Sequence, residues 1–172
     1  MKKKFIALLA LLLFLCVTAS ALFLFHHAGF RVNRSASLPG ILYAVSPLGE
    51  NERIYRGDIV LIDLSKISNP VISRGVERGY VNMREPMLKR IGAAPGDSVT
   101  LENDLLRVNG VVSRAVTAPF DSRGGPLAPW PTPLILRPGQ YWLVSDPERG
   151  FDSRYFGPVG REAFTHRAKP LF

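Results

Sequence analysis

The stretch SVTLENDLLRVNGVVSR, residues 98–114, decides the fold class because it contains three short apolar runs separated by turn residues. The dipeptide Asn109-Gly110 separates the second run from the third, and it supplies the two positive φ angles that a type I′ hairpin turn requires. The stretch therefore predicts β-strands joined by tight turns. The three predicted strands are 98–101, 105–108 and 111–114.

The same pattern continues on both sides of this stretch, since short apolar runs are divided by Gly, Pro, Asn and Asp. Such spacing is typical of β-rich domains. Residues 64–86 lose the alternation and predict a surface excursion with one short helix, whereas 118–138, with six prolines, predict a long irregular loop. We therefore expect one mainly β domain over 26–172. The further predicted strands are 41–45, 59–63, 88–91, 140–144 and 163–168.

The N-terminus carries a run of 21 residues without a charge, a Gly or a Pro, FIALLALLLFLCVTASALFLF at 5–25. A helix of that length, at about 1.5 Å per residue, spans the roughly 30 Å hydrocarbon core of a bilayer. Three lysines at 2–4 hold the tip, 1–4, in the cytoplasm by the positive-inside rule, so 26–172 are exported. The alternative is a cleaved secretory signal, because the triplet at 19–21, Ala-Ser-Ala, resembles a processing site. The apolar run continues past that triplet, which favours a retained transmembrane anchor.

Composition excludes several classes of protein. Of 172 residues, 47% are hydrophobic and 21% are charged, which is unlike a disordered chain. A single cysteine, Cys16, excludes an intramolecular disulfide framework and a Cys-built zinc site. Three of the charges behind the net +8 lie in the N-terminal lysine cluster and the others are spread, so no nucleic-acid partner is expected.

Histidine is too scarce to build a familiar catalytic or metal site. His26 and His27 lie beside the predicted membrane, and His166 lies near the C-terminus without a catalytic neighbourhood. Neither a Ser-His-Asp triad nor a His-based metal site is therefore predicted, and we expect no metal or cofactor. If the protein is a hydrolase, its base is a different residue type.

A buried lysine is the candidate base, because desolvation lowers the pKa of its amine toward neutrality. In the predicted strand at 88–91, alternation sends either Lys89 or Arg90 inward. Ser37 precedes a Leu-Pro-Gly turn that leads into the next strand, and such a turn exposes a hydroxyl beside rigid backbone. Taken alone, Ser37 also fits an ordinary loop serine, and Lys89 also fits an ordinary charge on an edge strand.

Taken together, these segments resemble the signal peptidase I-like serine peptidases, family S26, and within it the TraF-type peptidases of conjugative plasmid transfer. The single residue between Ser37 and Pro39, and the sequence ERGY at 77–80, are more similar to this conjugative branch than to housekeeping signal peptidases. The resemblance implies a signal-peptidase-like (LexA-like) all-β catalytic domain behind the anchor. Its four ordered blocks are SASLPG at 35–40, RGDIV at 56–60, KRIGAAPGD at 89–97, and SDP at 145–147 leading to FDSRYFGPV at 151–159.

The same resemblance implies roles for individual residues. Ser37 would be the nucleophile and neutral Lys89 the general base. The hydroxyl of Ser35 and the backbone N–H of Ser37 would donate to the oxyanion, where the loss of one donor typically costs about 10² to 10³ in rate. Asp152 and Arg154 would form an ion pair that supports the site without transferring protons.

One position departs from the family pattern. Family members usually carry a serine two residues before the aspartate, where its hydroxyl helps to orient the lysine, and this chain has Gly150 there. The orienting hydrogen bond must then come from Ser145, from Ser153 or from water, or be absent.

The resemblance implies a membrane-anchored serine endopeptidase of the bacterial inner membrane, single-pass, with a periplasmic catalytic domain. Its substrates would be signal peptides or pilin precursors with small side chains beside the cut, processed in conjugative plasmid transfer. Some members of this branch also cyclise the pilin, and the sequence leaves open whether water or an amine resolves the acyl-enzyme; it also leaves the oligomeric state open. The alternative is a non-catalytic anchored component of a secretion or pilus assembly. Gly150 favours that alternative, whereas the presence of both Ser37 and Lys89 argues for the enzyme.

Overall fold

The structure, a computed structural model, describes residues 2–34, 37–79, 81–121, 123–146 and 150–171. Within these residues the chain forms one long N-terminal helix and two short helices among eleven strands, which confirms the mainly β prediction. In chain order the elements are α1 (Lys2–His27), β1 (Phe30–Val32), β2 (Leu42–Pro47), β3 (Ile59–Ile62), α2 (Pro70–Glu77), β4 (Met87–Ala93), β5 (Ser98–Glu102), β6 (Leu105–Val108), β7 (Val111–Val116), β8 (Leu134–Ile135), β9 (Gln140–Val144), α3 (Ser153–Phe156), β10 (Val159–Gly160) and β11 (Phe164–Pro170).

Helix α1 is long and apolar enough to cross a membrane over Lys2–Phe25, with a mean hydropathy of 2.7. None of this segment is buried against the rest of the protein, so its leucine and phenylalanine side chains are exposed on every side. A helix that is apolar all round requires an apolar environment. The helix is therefore compatible with membrane anchoring, and it contains the predicted segment 5–25.

The larger sheet has seven strands in the order β1-β2-β11-β3-β4-β9-β10, and every neighbouring pair is antiparallel. Strand β3 is buried along its whole length. Its Val60 and Ile62 belong to one apolar cluster, and its Ile59 and Leu61 belong to another. The sheet is therefore covered on both faces, and any polar side chain on its inner strands is removed from water.

The smaller sheet, β7-β6-β5-β8, contains the hairpin from which the fold was predicted. Asn109 and Gly110 have φ angles of 51° and 78° and join β6 to β7. The prediction of an irregular loop over 118–138 is partly wrong, because Leu134 and Ile135 form β8 and pair with β5. Two residues carry too little pattern to indicate a strand, and their conformation depends on the strand beside them.

The excursion at 64–86 contains the short helix that was expected, α2. Asn69 caps it by accepting a hydrogen bond from the Val71 N–H at 2.8 Å, and Pro70 occupies the first helical turn. The Asn69 side chain also donates to the Phe156 carbonyl at 2.7 Å, which ties α2 to α3. Because α3 directly follows Asp152, the excursion supports the segment that carries the predicted ion pair.

Candidate active site

Lys89 lies on β4, an interior strand of the larger sheet, and only 1% of it is exposed. It stands opposite Val60 of β3, so the two side chains share a face of the sheet. Ile91, two residues on, belongs to the same apolar cluster as Val60. Lys89 is thus the cation that points inward, as alternation allowed.

The neighbouring cation points the other way. Arg90 is partly exposed and forms a two-pronged ion pair with Asp146, in which both N–O distances are 2.8 Å. The sequence did not predict this pair, because it depends on the register that sets Arg90 of β4 opposite Val144 of β9. The pair holds the residue after Ser145 against β4.

Ser37 lies in the turn between β1 and β2, and four hydrogen bonds from three residues fix this turn. The Asn33 side chain donates to the carbonyls of Leu38 and Gly40, at 2.9 and 3.1 Å. The Asp146 N–H donates to the Ser37 carbonyl at 2.8 Å. The Tyr43 hydroxyl donates to the Pro39 carbonyl. The serine is therefore presented from an anchored backbone.

The structure brings the two predicted residues together. The Lys89 Nζ lies 3.2 Å from the Ser37 Oγ and 2.6 Å from the Ser145 Oγ. The Ser153 Oγ instead accepts from the Leu143 N–H at 2.9 Å, which occupies it with β9. Of the two serines considered as orienting groups, Ser145 is the one that contacts the amine.

Burial lowers the pKa of Lys89 from its ordinary 10.5 to about 8. The charged ammonium is disfavoured because the apolar surroundings solvate it poorly. The negative charge of Asp152 raises the pKa and the positive charge of Arg154 lowers it, so the two partly offset each other. An amine with this pKa is about one-tenth neutral at pH 7 and half neutral at about pH 8, so a usable fraction is available as a base near neutral pH.

Asp152 and Arg154 form the predicted ion pair, and both side chains are 0% exposed. Their two contacts measure 2.8 Å from Nε and 2.7 Å from the terminal nitrogen of Arg154. Asp152 also accepts from the Ser145 N–H at 2.8 Å and caps α3 through the Arg154 N–H at 3.1 Å. Arg154 donates further to the Gly150 carbonyl at 3.1 Å. The pair therefore holds both Ser145 and Gly150 in place.

A groove of about 300 Å³ opens beside Ser37 and Lys89. Strand β4 forms one side, where Met87 and Leu88 pair with β3, whereas in the described part of the chain its pairing with β9 starts at Arg90. An extended peptide can add to such a half-paired strand through backbone hydrogen bonds. The other groove residues are mostly apolar or uncharged, with two charged groups: Val32, Asn33, Arg34, Leu64, Val81, Asn82, Glu85, Pro86 and Phe151.

Two further predictions concern the oxyanion donor and metal binding. Ser35, the expected oxyanion donor, lies outside the described residues. Among the residues that are described, no group of three or more His, Cys, Asp or Glu side chains could hold a metal ion.

The sequence did not predict the hydrogen bonds that hold the Ser37 turn. Asn33 and Asp146 supply them, and neither has a local pattern that indicates the contact. Asp146 follows directly on Ser145 in a quoted block, which is the only signal that could have suggested it.

Several known proteins, and one family model, are similar to this chain over most of its length. The family model for signal peptidase, peptidase S26, matches residues 3–172. The chain is 32% identical over 153 residues to a plasmid transfer protein TraF of Escherichia coli, covering 84% of this chain and 83% of that protein. It is 29% identical over 150 residues to the conjugal transfer protein TraF of Agrobacterium fabrum strain C58, covering 84% and 82%. A signal peptidase I from Enterococcus faecalis superposes with a TM-score of 0.38 at 20% identity, over 66% of this chain and 94% of that one. Since the family model spans nearly the whole chain, the protein belongs to the signal peptidase family, peptidase S26.

Proposed function

We propose that this protein is a membrane-anchored serine endopeptidase that uses Ser37 and Lys89 to cut precursor proteins on the exported side of the bacterial inner membrane. The observation that carries the proposal is the buried Lys89 amine at 3.2 Å from the Ser37 hydroxyl. Family membership supports a peptidase, and relatives named for plasmid and conjugal transfer support a role in conjugation.

The chemistry follows from the dyad. Neutral Lys89 takes the Ser37 proton as the Oγ attacks the carbonyl carbon of the scissile peptide bond. The resulting ammonium returns that proton to the leaving amine, so the C–N bond breaks and an acyl-enzyme remains on Ser37. Water, or an amine of the substrate in a cyclisation, then attacks the ester and releases the serine. The hydroxyl of Ser35 and the N–H of Ser37 remain the proposed oxyanion donors.

The position of the dyad suits a substrate that emerges from a membrane. Ser37 follows the end of α1 at His27 by ten residues, which keeps the groove close to the point where the anchor leaves the lipid. An exported precursor held in the same bilayer reaches this groove by diffusion in two dimensions. We therefore propose pilin precursors, extended along β4 with small side chains beside the cut, as the substrates.

The test uses the full-length protein reconstituted in lipid vesicles with a membrane-anchored pilin precursor. Mass spectrometry of the products compares wild type, Ser37→Ala and, as a matched control, the exposed Ser46→Ala. We expect wild type and the control to yield the same new termini, and Ser37→Ala to yield none. Equal products from all three would contradict the proposal. Equal precursor binding without cleavage by any of them would favour the non-catalytic assembly component.

The lowered pKa of Lys89 predicts the pH dependence of cleavage. The base is active when neutral, so the rate should rise with pH and level off above about 8. Below that point the neutral fraction, and with it kcat/KM, falls about tenfold per pH unit. Initial rates measured from neutral to alkaline pH give the profile. A rate that does not change on either side of pH 8 would contradict Lys89 as the base.

A further inference from the structure

The hydroxyl closest to the Lys89 amine belongs to Ser145, which directly follows β9. Its Oγ lies 2.6 Å from the Nζ, whereas the Ser37 Oγ lies at 3.2 Å. Ser145 is only 4% exposed, and its own N–H is held by Asp152 at 2.8 Å. The contact is therefore short, buried and built on an anchored backbone.

Gly150 is what makes room for this hydroxyl. A Cβ at position 150 would lie 2.3 Å from the Ser145 Cβ and 2.5 Å from its Oγ, distances that real side chains do not reach. Lack of space therefore requires a glycine at this position. A shift of Gly150 away from Ser145 would weaken the hydrogen bond that its carbonyl accepts from the buried Arg154. The space between positions 145 and 150 therefore accommodates the side chain of only one of the two residues.

We propose that Ser145 is the positioning residue for Lys89, and that Gly150 is the space that this serine requires. A neutral amine has two N–H groups and one lone pair. When Ser145 accepts one N–H, the rotation of the amine is fixed and its lone pair is directed to the Ser37 hydroxyl, which must give up its proton. This inference rests on the proposed function.

The same distances show that a hydroxyl at position 150 can take the place of the Ser145 hydroxyl. A Cβ at 150 lies 2.5 Å from the place now occupied by the Ser145 Oγ. A serine at 150 therefore projects its hydroxyl into the same space once position 145 has no side chain. Moving the serine from position 145 to position 150 should therefore restore part of the activity that is lost by Ser145→Gly alone or by Gly150→Ser alone.

The experiment compares Ser145→Ala, Ser145→Gly, Gly150→Ser and the double variant Ser145→Gly with Gly150→Ser, all full-length in vesicles with the pilin precursor. Ser145→Ala is expected to lower kcat by about 10- to 100-fold, the usual effect of losing a hydrogen bond that orients a catalytic group, with KM unchanged. The acid limb of its pH–rate profile, where the rate rises as Lys89 loses its proton, should move to lower pH. The reason is that the charged amine loses a hydrogen-bond acceptor, which lowers its pKa. Gly150→Ser should be poorly active because of the clash. The double variant should exceed Ser145→Gly by about tenfold, a recovery within that same range.

Two results would overturn the inference. One is a Ser145→Ala protein with the wild-type kcat or the wild-type acid limb. The other is a double variant that unfolds at the temperature of wild type and yet is no more active than Ser145→Gly. Ser37→Ala, measured alongside, separates this failure from that of the proposed function. If Ser37→Ala is inactive and Ser145→Ala is fully active, only the role of Ser145 is wrong.

Discussion

Lys89→Met is expected to abolish cleavage and at the same time to make the folded protein more stable at neutral pH. Loss of the base should cost at least about 10³ in kcat/KM, within the range known for general bases. The stability gain follows from the pKa of Lys89, which is 10.5 in the unfolded chain and about 8 in the fold. At about 1.4 kcal/mol per pKa unit, this shift opposes folding by about 3 kcal/mol wherever the lysine is charged in both states. Methionine keeps much of the side-chain volume and removes that cost, less about 1 kcal/mol for the lost hydrogen bond to Ser145.

The stability gain of Lys89→Met over wild type should depend on pH. Between pH 8 and 10.5 the unfolded lysine binds a proton that the folded one has released, so wild type becomes more stable as pH rises through this window. The advantage of Lys89→Met should therefore be full below pH 8 and shrink above it. Denaturant unfolding of the full chain in micelles, followed by the fluorescence of Trp130 and Trp142, measures both proteins. The exposed Lys66→Met is the control and should show neither effect. A Lys89→Met protein less stable than wild type at neutral pH would contradict the buried-charge argument.

The sequence predicts those parts of the fold that have their own local pattern. The Asn109-Gly110 hairpin and α2, with Asn69 and Pro70 at its start, are specified by residues inside them. The missed strands, β1, β8 and β10, have two or three residues each and exist because a longer strand pairs with them. Propensity over so short a window does not distinguish a strand from a loop.

The site shows the same division between local and tertiary information. Sequence blocks indicated Ser37 and Lys89, and alternation narrowed the inward cation to Lys89 or Arg90. The choice between them needed the register of β4 against β3 and β9. The source of the orienting hydroxyl stayed open in the sequence, because Ser145 lies 56 residues from Lys89 in the chain and meets it only in the folded protein. Such long-range contacts leave no periodic signal.

Asp152→Ala is expected to lower the free energy of unfolding by about 3–5 kcal/mol, because it leaves the Arg154 guanidinium buried without its charge partner. The same change removes the acceptor of the Ser145 N–H and the N-cap of α3. Arg154→Met should cost less stability, since the carboxylate that remains still accepts from the N–H groups of Ser145 and of residue 154. The two substitutions should also move the acid limb of cleavage in opposite directions. Asp152 raises the pKa of Lys89 and Arg154 lowers it, so Arg154→Met shifts the limb to higher pH and Asp152→Ala shifts it to lower pH.

The matched control for this prediction is Glu102→Ala, which breaks an exposed ion pair with Arg107 in the smaller sheet. Solvent screens such a pair, so its loss should leave the unfolding transition nearly unchanged. Denaturant unfolding of all three variants in micelles, together with their pH–rate profiles, checks both halves of the argument. An Asp152→Ala protein as stable as the Glu102→Ala control would show that the buried pair contributes no more than a surface one. Acid limbs that move in the same direction would show that the charges of Asp152 and Arg154 do not act on Lys89 separately.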